Sequence, residues 1–337
     1  MTDTQPMSDA AGDLLATEHW FVKHGLPYFV PEQREAARAA LHSRRTLLML
    51  VVTVLVALAG GGVLAWLAGD AAVAPTTLFL LVGVAVLGFA LTALRARPIA
   101  VWAVTRTLGS LRLLVPLVTR ALPLLLLFIT FLFINAEVWE LSSNLDGAVL
   151  WMTVMLFALL AVGFLLVRLP EELDSSDRVV DEVNLVEACR RTPLETRART
   201  MVAESGKEAI AAEAVVRGYE RANLILVLVV AQAVQVLLLS LSVFAFFLVF
   251  GGIVMKDHVQ EHWSNGPIHA MPVLSNLTVE LVQVSVFLAA FSGFYFTICA
   301  VTDEAYRDQF FTTVKRELDR AVAVRAVYLA LRGHDSV

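Results

Sequence analysis

The sequence predicts an all-α fold, a polytopic transmembrane helical bundle of six spans with amphipathic helices at its cytoplasmic face. Three observations predict it. The chain is 58% hydrophobic and only 17% charged, whereas soluble domains are about half apolar and about a quarter charged. The surplus is gathered into long uncharged runs, each near the ~20 residues that cover a hydrocarbon core of about 30 Å. If six such runs cross, 25 of the 26 Lys and Arg residues fall on one side. Cytoplasmic loops carry such an excess because basic segments resist translocation.

Residues 1–45 form a cytoplasmic N-terminal segment. Met1 to Ala16 is rich in Asp, Thr, Ala and Gly, and disorder is expected there. No cleavable signal is visible, since the first apolar run is too long for one. Pro31 suits the first position of a helix and Glu32 its positive end. Residues 46–167 hold spans one to four: Thr46–Leu67, Thr77–Leu94, Ala121–Val138 and Ala148–Val167. Between the second and third spans, near 98–120, an apolar stretch is interrupted by Arg106, Arg112 and Arg120. It reads as an interfacial helix whose arginines reach water. Trp139 marks the exit of the third span at interface depth, and Pro170 stops the fourth.

Residues 168–222 are the largest cytoplasmic segment. Thr192-Pro193-Leu194-Glu195 has the pattern of a capping box, so a helix should start there. Residues 223–301 carry spans five and six around an outer loop, 256–279. No charged residue occurs from Ala222 to Met255. A straight helix of that length would be about 50 Å at 1.5 Å per residue. It must therefore tilt, bend or project, with Gly251-Gly252 as the expected kink or end. Residues 302–337 close the chain as a cytoplasmic amphipathic helix. Phe310, Phe311, Val314 and Leu318 share one side of it, and Lys315, Arg316 and Arg320 reach solvent.

Small residues recur every fourth position in two spans. Ala57, Gly61 and Ala65 do so in the first, and Ser285, Ala289, Gly293 and Thr297 in the sixth. Such ridges let helix backbones approach closely. Packing within the chain is expected, and a homo-oligomer is the alternative. Asn135, Gln232 and Gln235 are the intramembrane polar residues. They are read as hydrogen-bonding across helices, with a solute path as the alternative. No acidic or basic residue lies deep in a span, which counts against ion-coupled carriers and proton relays.

His258-Val259-Gln260-Glu261-His262 fits H-x-x-E-H, the inverted zinc-protease pattern. On a helix, His258 and His262 lie one turn apart and could share a metal, with Glu261 as general base and His269 as a third ligand. A polar outer loop is the simpler reading, because a protease also needs a folded domain and a substrate cleft. Cys189 and Cys299 are far apart and form no disulfide framework or zinc spacing. No phosphate loop, dinucleotide fingerprint, kinase signature or G-x-S-x-G is present. No cofactor, nucleic-acid partner or enzymatic activity is therefore expected.

Glu171–Arg221 carries 12 acidic and eight basic residues. It reads as a solvated helical pair or as a docking surface for another protein. Trp20, Phe21, Tyr28 and Phe29 could dock on it or lie at the bilayer interface. The 22 arginines against four lysines, with heavy use of Ala, Val and Leu, point to a GC-rich bacterial source.

Three further stretches carry a resemblance. They are Ala121-Leu122-Pro123 through Phe131-Leu132-Phe133-Ile134-Asn135-Ala136-Glu137-Val138-Trp139, then Glu220-Arg221-Ala222-Asn223-Leu224 leading to Gln232-Ala233-Val234-Gln235, and Thr302-Asp303-Glu304-Ala305-Tyr306-Arg307 followed by Val322-Ala323-Val324-Arg325. Together they resemble a family of uncharacterised multi-pass integral membrane proteins of actinobacteria. The resemblance implies the architecture and a bacterial inner (plasma) membrane. It brings no activity, ligand or catalytic residue. The functional expectation is a non-enzymatic scaffold or accessory subunit, with a passive pore or transporter as the alternative.

Overall fold

The computed structural model describes residues 5–69, 71–109, 126–174, 185–205, 210, 216–271, 277–302 and 304–334. Among them every regular element is helical, apart from one isolated bridge pairing Ala270 with Thr278. Helix α1 (Gln5–Lys23) leads through a 3-10 turn (Pro27–Phe29) to α2 (Pro31–Leu41). A long hairpin follows, α3 (Arg44–Ala68) and α4 (Val73–Thr92), and then α5 (Arg97–Gly109). Two short helices, α6 (Leu126–Phe133) and α7 (Ala136–Ser143), precede α8 (Gly147–Asp174). After α9 (Leu185–Ala188) and α10 (Glu195–Ser205) come α11 (Tyr219–Val254), α12 (Asp257–Ser264), α13 (Val279–Thr302) and α14 (Glu304–His334).

Five of these, α3, α4, α8, α11 and α13, contain stretches long and apolar enough to cross a membrane. The α6–α7 pair passes that test only jointly, and it is bent by 75°. The expected straight third span thus breaks at Ile134-Asn135, and its first residues, 121–125, lie outside the described set. Local chemistry stabilises the break. Asn135 Oδ1 accepts from Glu137 N at 2.8 Å and Val138 N at 3.2 Å, capping α7. Trp139 Nε1 donates to Phe133 O at 2.6 Å, satisfying a carbonyl freed at the end of α6. Asn135 is therefore a cap and not a bridge between helices. Trp139 is fully buried and meets the Trp263 ring edge-on at 6.2 Å.

Close approaches set the packing. At Gly61 a Cβ would lie 2.9 Å from the carbonyl oxygen of Ala74, so only glycine lets α3 and α4 touch there. Ala57 is buried in the same contact and Ala65 is half-buried. The antiparallel pair α11 and α13 meets at two glycines. A Cβ on Gly293 would lie 2.3 Å from Ser240 Oγ, and one on Gly251 would lie 2.3 Å from Leu281 Cδ1. Helix α11 runs to Val254, two residues past the Gly251-Gly252 pair where a kink or end was expected, and Gly251 seats Leu281. An aromatic layer at this end stacks Phe133 on Phe247 with ring centroids 4.7 Å apart.

Three other expectations change. Helix α1 occupies much of the segment expected to be disordered, because its later residues pack on α14, where Phe21 meets Tyr328 edge-on at 5.6 Å. Helix α8 continues through Pro170 to Asp174. A proline so near a helix end removes one backbone bond without ending the helix. Helix α14 is not amphipathic over its second half. All eight residues from Ala321 to Tyr328 are buried, so that stretch is enclosed rather than laid on a surface. Leu318 is buried as expected. Arg320 instead turns inward, donating through Nε to Ala188 O at 2.9 Å and through Nη2 to Arg190 O. The side chains of residues 310–315 and all of 110–120 lie outside the described set.

Candidate functional site

A set of buried polar residues converges at one end of the bundle, where both terminal segments meet the start of α11. The chain leaves α1 through Gly25, whose φ of +75° is a left-handed conformation. Glycine adopts it without strain, and it lets the backbone lie on the Trp102 ring of α5. Residues 25–30 form a buried hook. Asn223, fully buried on α11, holds both sides of that hook. Its Oδ1 accepts from Tyr28 N and its Nδ2 donates to Gly25 O, each at 2.9 Å. Tyr28 Oη donates to Leu94 O at 2.6 Å, closing the end of α4. Burial raises the Tyr28 phenol above its ordinary range, with Tyr219 adding to the effect.

One turn before Asn223, Glu220 is buried between two arginines. Its Oε1 lies 2.5 Å from Arg34 Nη1 of α2, and its Oε2 lies 2.5 Å from Arg325 Nη2 of α14. The Arg325 guanidinium also sits 5.7 Å from the centre of the Phe29 ring, within range of a cation–π attraction. Two carboxylate oxygens, each taking one charged donor, explain how a carboxylate is tolerated at 5% exposure.

Further polar contacts extend the clasp. Tyr328 Oη donates to Glu18 Oε1 at 2.6 Å and accepts from Arg332 Nη1 at 3.1 Å. Arg106 pairs with Glu317, and Arg197 Nε lies 3.1 Å from Asp13 Oδ2. Cys189, sealed beneath α14, is pushed up to about 12 by burial and stays a thiol at neutral pH. Thr192 does not form the expected capping box. Its hydroxyl donates back to Cys189 O at 2.6 Å, and Glu195 Oε2 accepts from Arg191 N at 2.8 Å. Trp20, Phe21, Tyr28 and Phe29 pack chiefly on α5, α11 and α14.

The other sequence candidates lie elsewhere. Gln232 and Gln235 are buried on α11, and Ser285 on α13. Among the described residues, Gln232 Nε2, Gln235 Oε1 and Ser285 Oγ have no hydrogen-bond partner. Ala289 and Thr297 are buried with Ser285 and Gly293 along the small-residue ridge of α13. His258, Glu261 and His262 are exposed on α12 at the opposite end of the bundle. His269 is not a third ligand beside them. Its Nδ1 lies 2.8 Å from Glu280 Oε1, and its backbone N–H donates to Glu280 Oε2 at 3.0 Å. No group of three or more His, Cys, Asp or Glu side chains able to hold a metal occurs among the described residues.

Known protein families, curated proteins and solved structures yield no match to this chain. The clasp must therefore be read from its own chemistry. It holds two arginines on a carboxylate, an asparagine on backbone and a tyrosine on a helix end. These groups stabilise one conformation.

Sequence reasoning missed Glu220, Asn223, Arg34 and Arg325 as a set. One signal was present. Arg325 stands alone in Ala-Val-Ala-Val-Arg-Ala-Val-Tyr, and an arginine inside a stretch apolar on every side needs a buried partner.

Proposed function

We propose that this is a six-span integral membrane protein of a bacterial inner membrane, with both terminal segments on the cytoplasmic side. It acts without catalysis, as a scaffold or accessory subunit, through the surface built around the Glu220 clasp. The bent α6–α7 pair counts as the third span in this reading. The arginine-rich ends of the chain then share one aqueous face with the clasp. The observation that carries the proposal is the joining of both terminal segments on one buried carboxylate. Positions 34, 220 and 325 are tied together, which gives the aqueous end a fixed shape that a partner can read.

The test uses the full-length protein in cells. A photoreactive amino acid placed at exposed Arg199 or Arg316 should cross-link one defined protein. Glu220→Ala, which opens the clasp, should abolish that product without removing the protein from the membrane. Cross-linking that survives the loss of the clasp overturns the reading.

The alternative is a passive pore or transporter. It draws on Gln232 and Gln235, which keep polar atoms sealed inside α11 with no partner among the described residues. Solute release from proteoliposomes, lost in Gln232→Leu with Gln235→Leu, would favour it.

A further inference from the structure

Helices α8, α11 and α13 do not close against one another along their full length. Helix α8 packs closely on α13 and lightly on α11. Between them runs a groove of about 530 Å³. Protein interiors are otherwise packed so well that voids larger than a water molecule are few. A gap of this size in a stable bundle needs an occupant. Its cause is side-chain size. Ala158 and Ala161 of α8 face Ala233 of α11 and Ala289 and Gly293 of α13, and these small residues leave the space unfilled.

The groove lies wholly within apolar helix, which restricts what can fill it. Its polar side-chain groups are the hydroxyls of Ser240 and Thr297 and, at one end, the indole N–H of Trp151. Thr297 already donates to Gly293 O at 2.8 Å. Water would find few partners there, and an ordered water needs two to four. The mouth is open on the outer side of the bundle, where Leu237 and Leu241 are exposed. Along α8 the groove runs from Trp151 to Leu165, a length of about 21 Å at 1.5 Å per residue. Spread over that length, the volume makes a slot too narrow for a helix, which is about 10 Å across, and of the calibre of one extended acyl chain.

A charged residue follows the groove along α8. Ala161, Leu165 and Arg168 follow one another at spacings of four and three residues, so they share a face of α8. Arg168 is exposed one turn beyond the groove. It stands where a phospholipid whose chain lies in the groove would hold its phosphate, and arginine suits that group by charge and by paired N–H donors.

We propose that the α8–α11–α13 groove is a binding site for one acyl chain of an anionic phospholipid, with the headgroup phosphate at Arg168. This rests on the membrane reading above and not on the scaffold reading. The bound chain completes the packing of α8 on α11.

The experiment uses the full-length protein in vesicles of phosphatidylcholine with one-fifth phosphatidylglycerol. A trace of phosphatidylglycerol carrying a diazirine in its acyl chain serves as the probe. After irradiation and digestion, adducts should concentrate on Ala158, Ala161, Ala233 and Ala289. Ala161→Phe, which fills the groove, should lower groove adducts at least tenfold and leave those on α3 unchanged. Arg168→Gln should remove the preference for this probe over the same diazirine on phosphatidylcholine. Should Ala161→Phe not fold, the milder Ala161→Leu with a count of co-purifying phospholipid by native mass spectrometry reads the same site.

Adducts spread evenly over α3, α4 and the groove walls would overturn the proposal, as would a cross-link between two copies through the groove. Absence of adducts on every helix would instead refute membrane insertion, so the two failures are distinguishable.

Discussion

At the scale of single residues, Asn223 uses its amide as a substitute for a paired strand, holding an N–H and a C=O of the hook. Replacing it with Ala leaves two buried backbone groups unsatisfied, at about 1–3 kcal/mol each. Asn223→Ala should therefore release the hook, and limited proteolysis should cut residues 20–40 many-fold faster than in the wild type. His24 makes a second case. It stacks on Trp20 at 4.0 Å and donates through Nδ1 to Trp20 O at 2.7 Å. Burial nonetheless lowers its pKa below 6.5, helped by Arg320 and Lys23 and opposed by the Trp20 bond and by Glu317. Between the folded value and 6.5 the unfolded chain binds a proton that the folded chain does not, so stability rises with pH in that window. The contribution is whole above about 6.5 and is lost as pH falls through the lower folded value. Acidification from pH 7.5 to about 5 should loosen the α1–α5 contact, and His24→Gln should flatten that response in a pH series of melting curves.

At the scale of elements, the two kinds of glycine contact differ in consequence. Helix α3 packs chiefly on α4, so a clash at Gly61 stays within the hairpin. Gly61→Val should raise cleavage at the turn between α3 and α4 and leave the main unfolding transition in place. Helices α11 and α13 lie at the centre, so Gly293→Val should lower the main transition by about 1–3 kcal/mol, the usual range for overpacking. Much of this level was legible in the sequence. Charge-free runs mark α3, α4, α8, α11 and α13, since a span must exclude charge over its whole length. The small-residue series in α3 and α13 mark contact faces. The bend before α7 was not legible, because Phe-Ile-Asn-Ala-Glu-Val-Trp reads as a span running out to water. The break depends on Trp139 folding back onto Phe133, a contact that no periodicity encodes. Helix α14 was misread for a related reason. Its amphipathic first half suggested a surface helix, yet Ala321 to Tyr328 is surrounded by helices from distant parts of the chain.

At the scale of the whole molecule, the end of the bundle that holds both terminal segments depends on one carboxylate. Removing it takes from Arg34 and Arg325 the carboxylate they share, and Arg325 is only 6% exposed. Breaking a buried pair in this way costs about 3–5 kcal/mol. Glu220→Ala should uncouple α1, α2 and α14 together, seen as a separate low-temperature transition in a detergent melt. Glu220→Gln, which keeps the hydrogen-bond acceptor, should fall between the two. The contact from Glu18 to Tyr328 spans 310 positions of the chain. During synthesis the first helices must wait, unfinished and with Phe21 and Phe29 uncovered, until the closing segment emerges from the ribosome. A copy that stalls before residue 328 would display that greasy hook to the cell's degradation machinery.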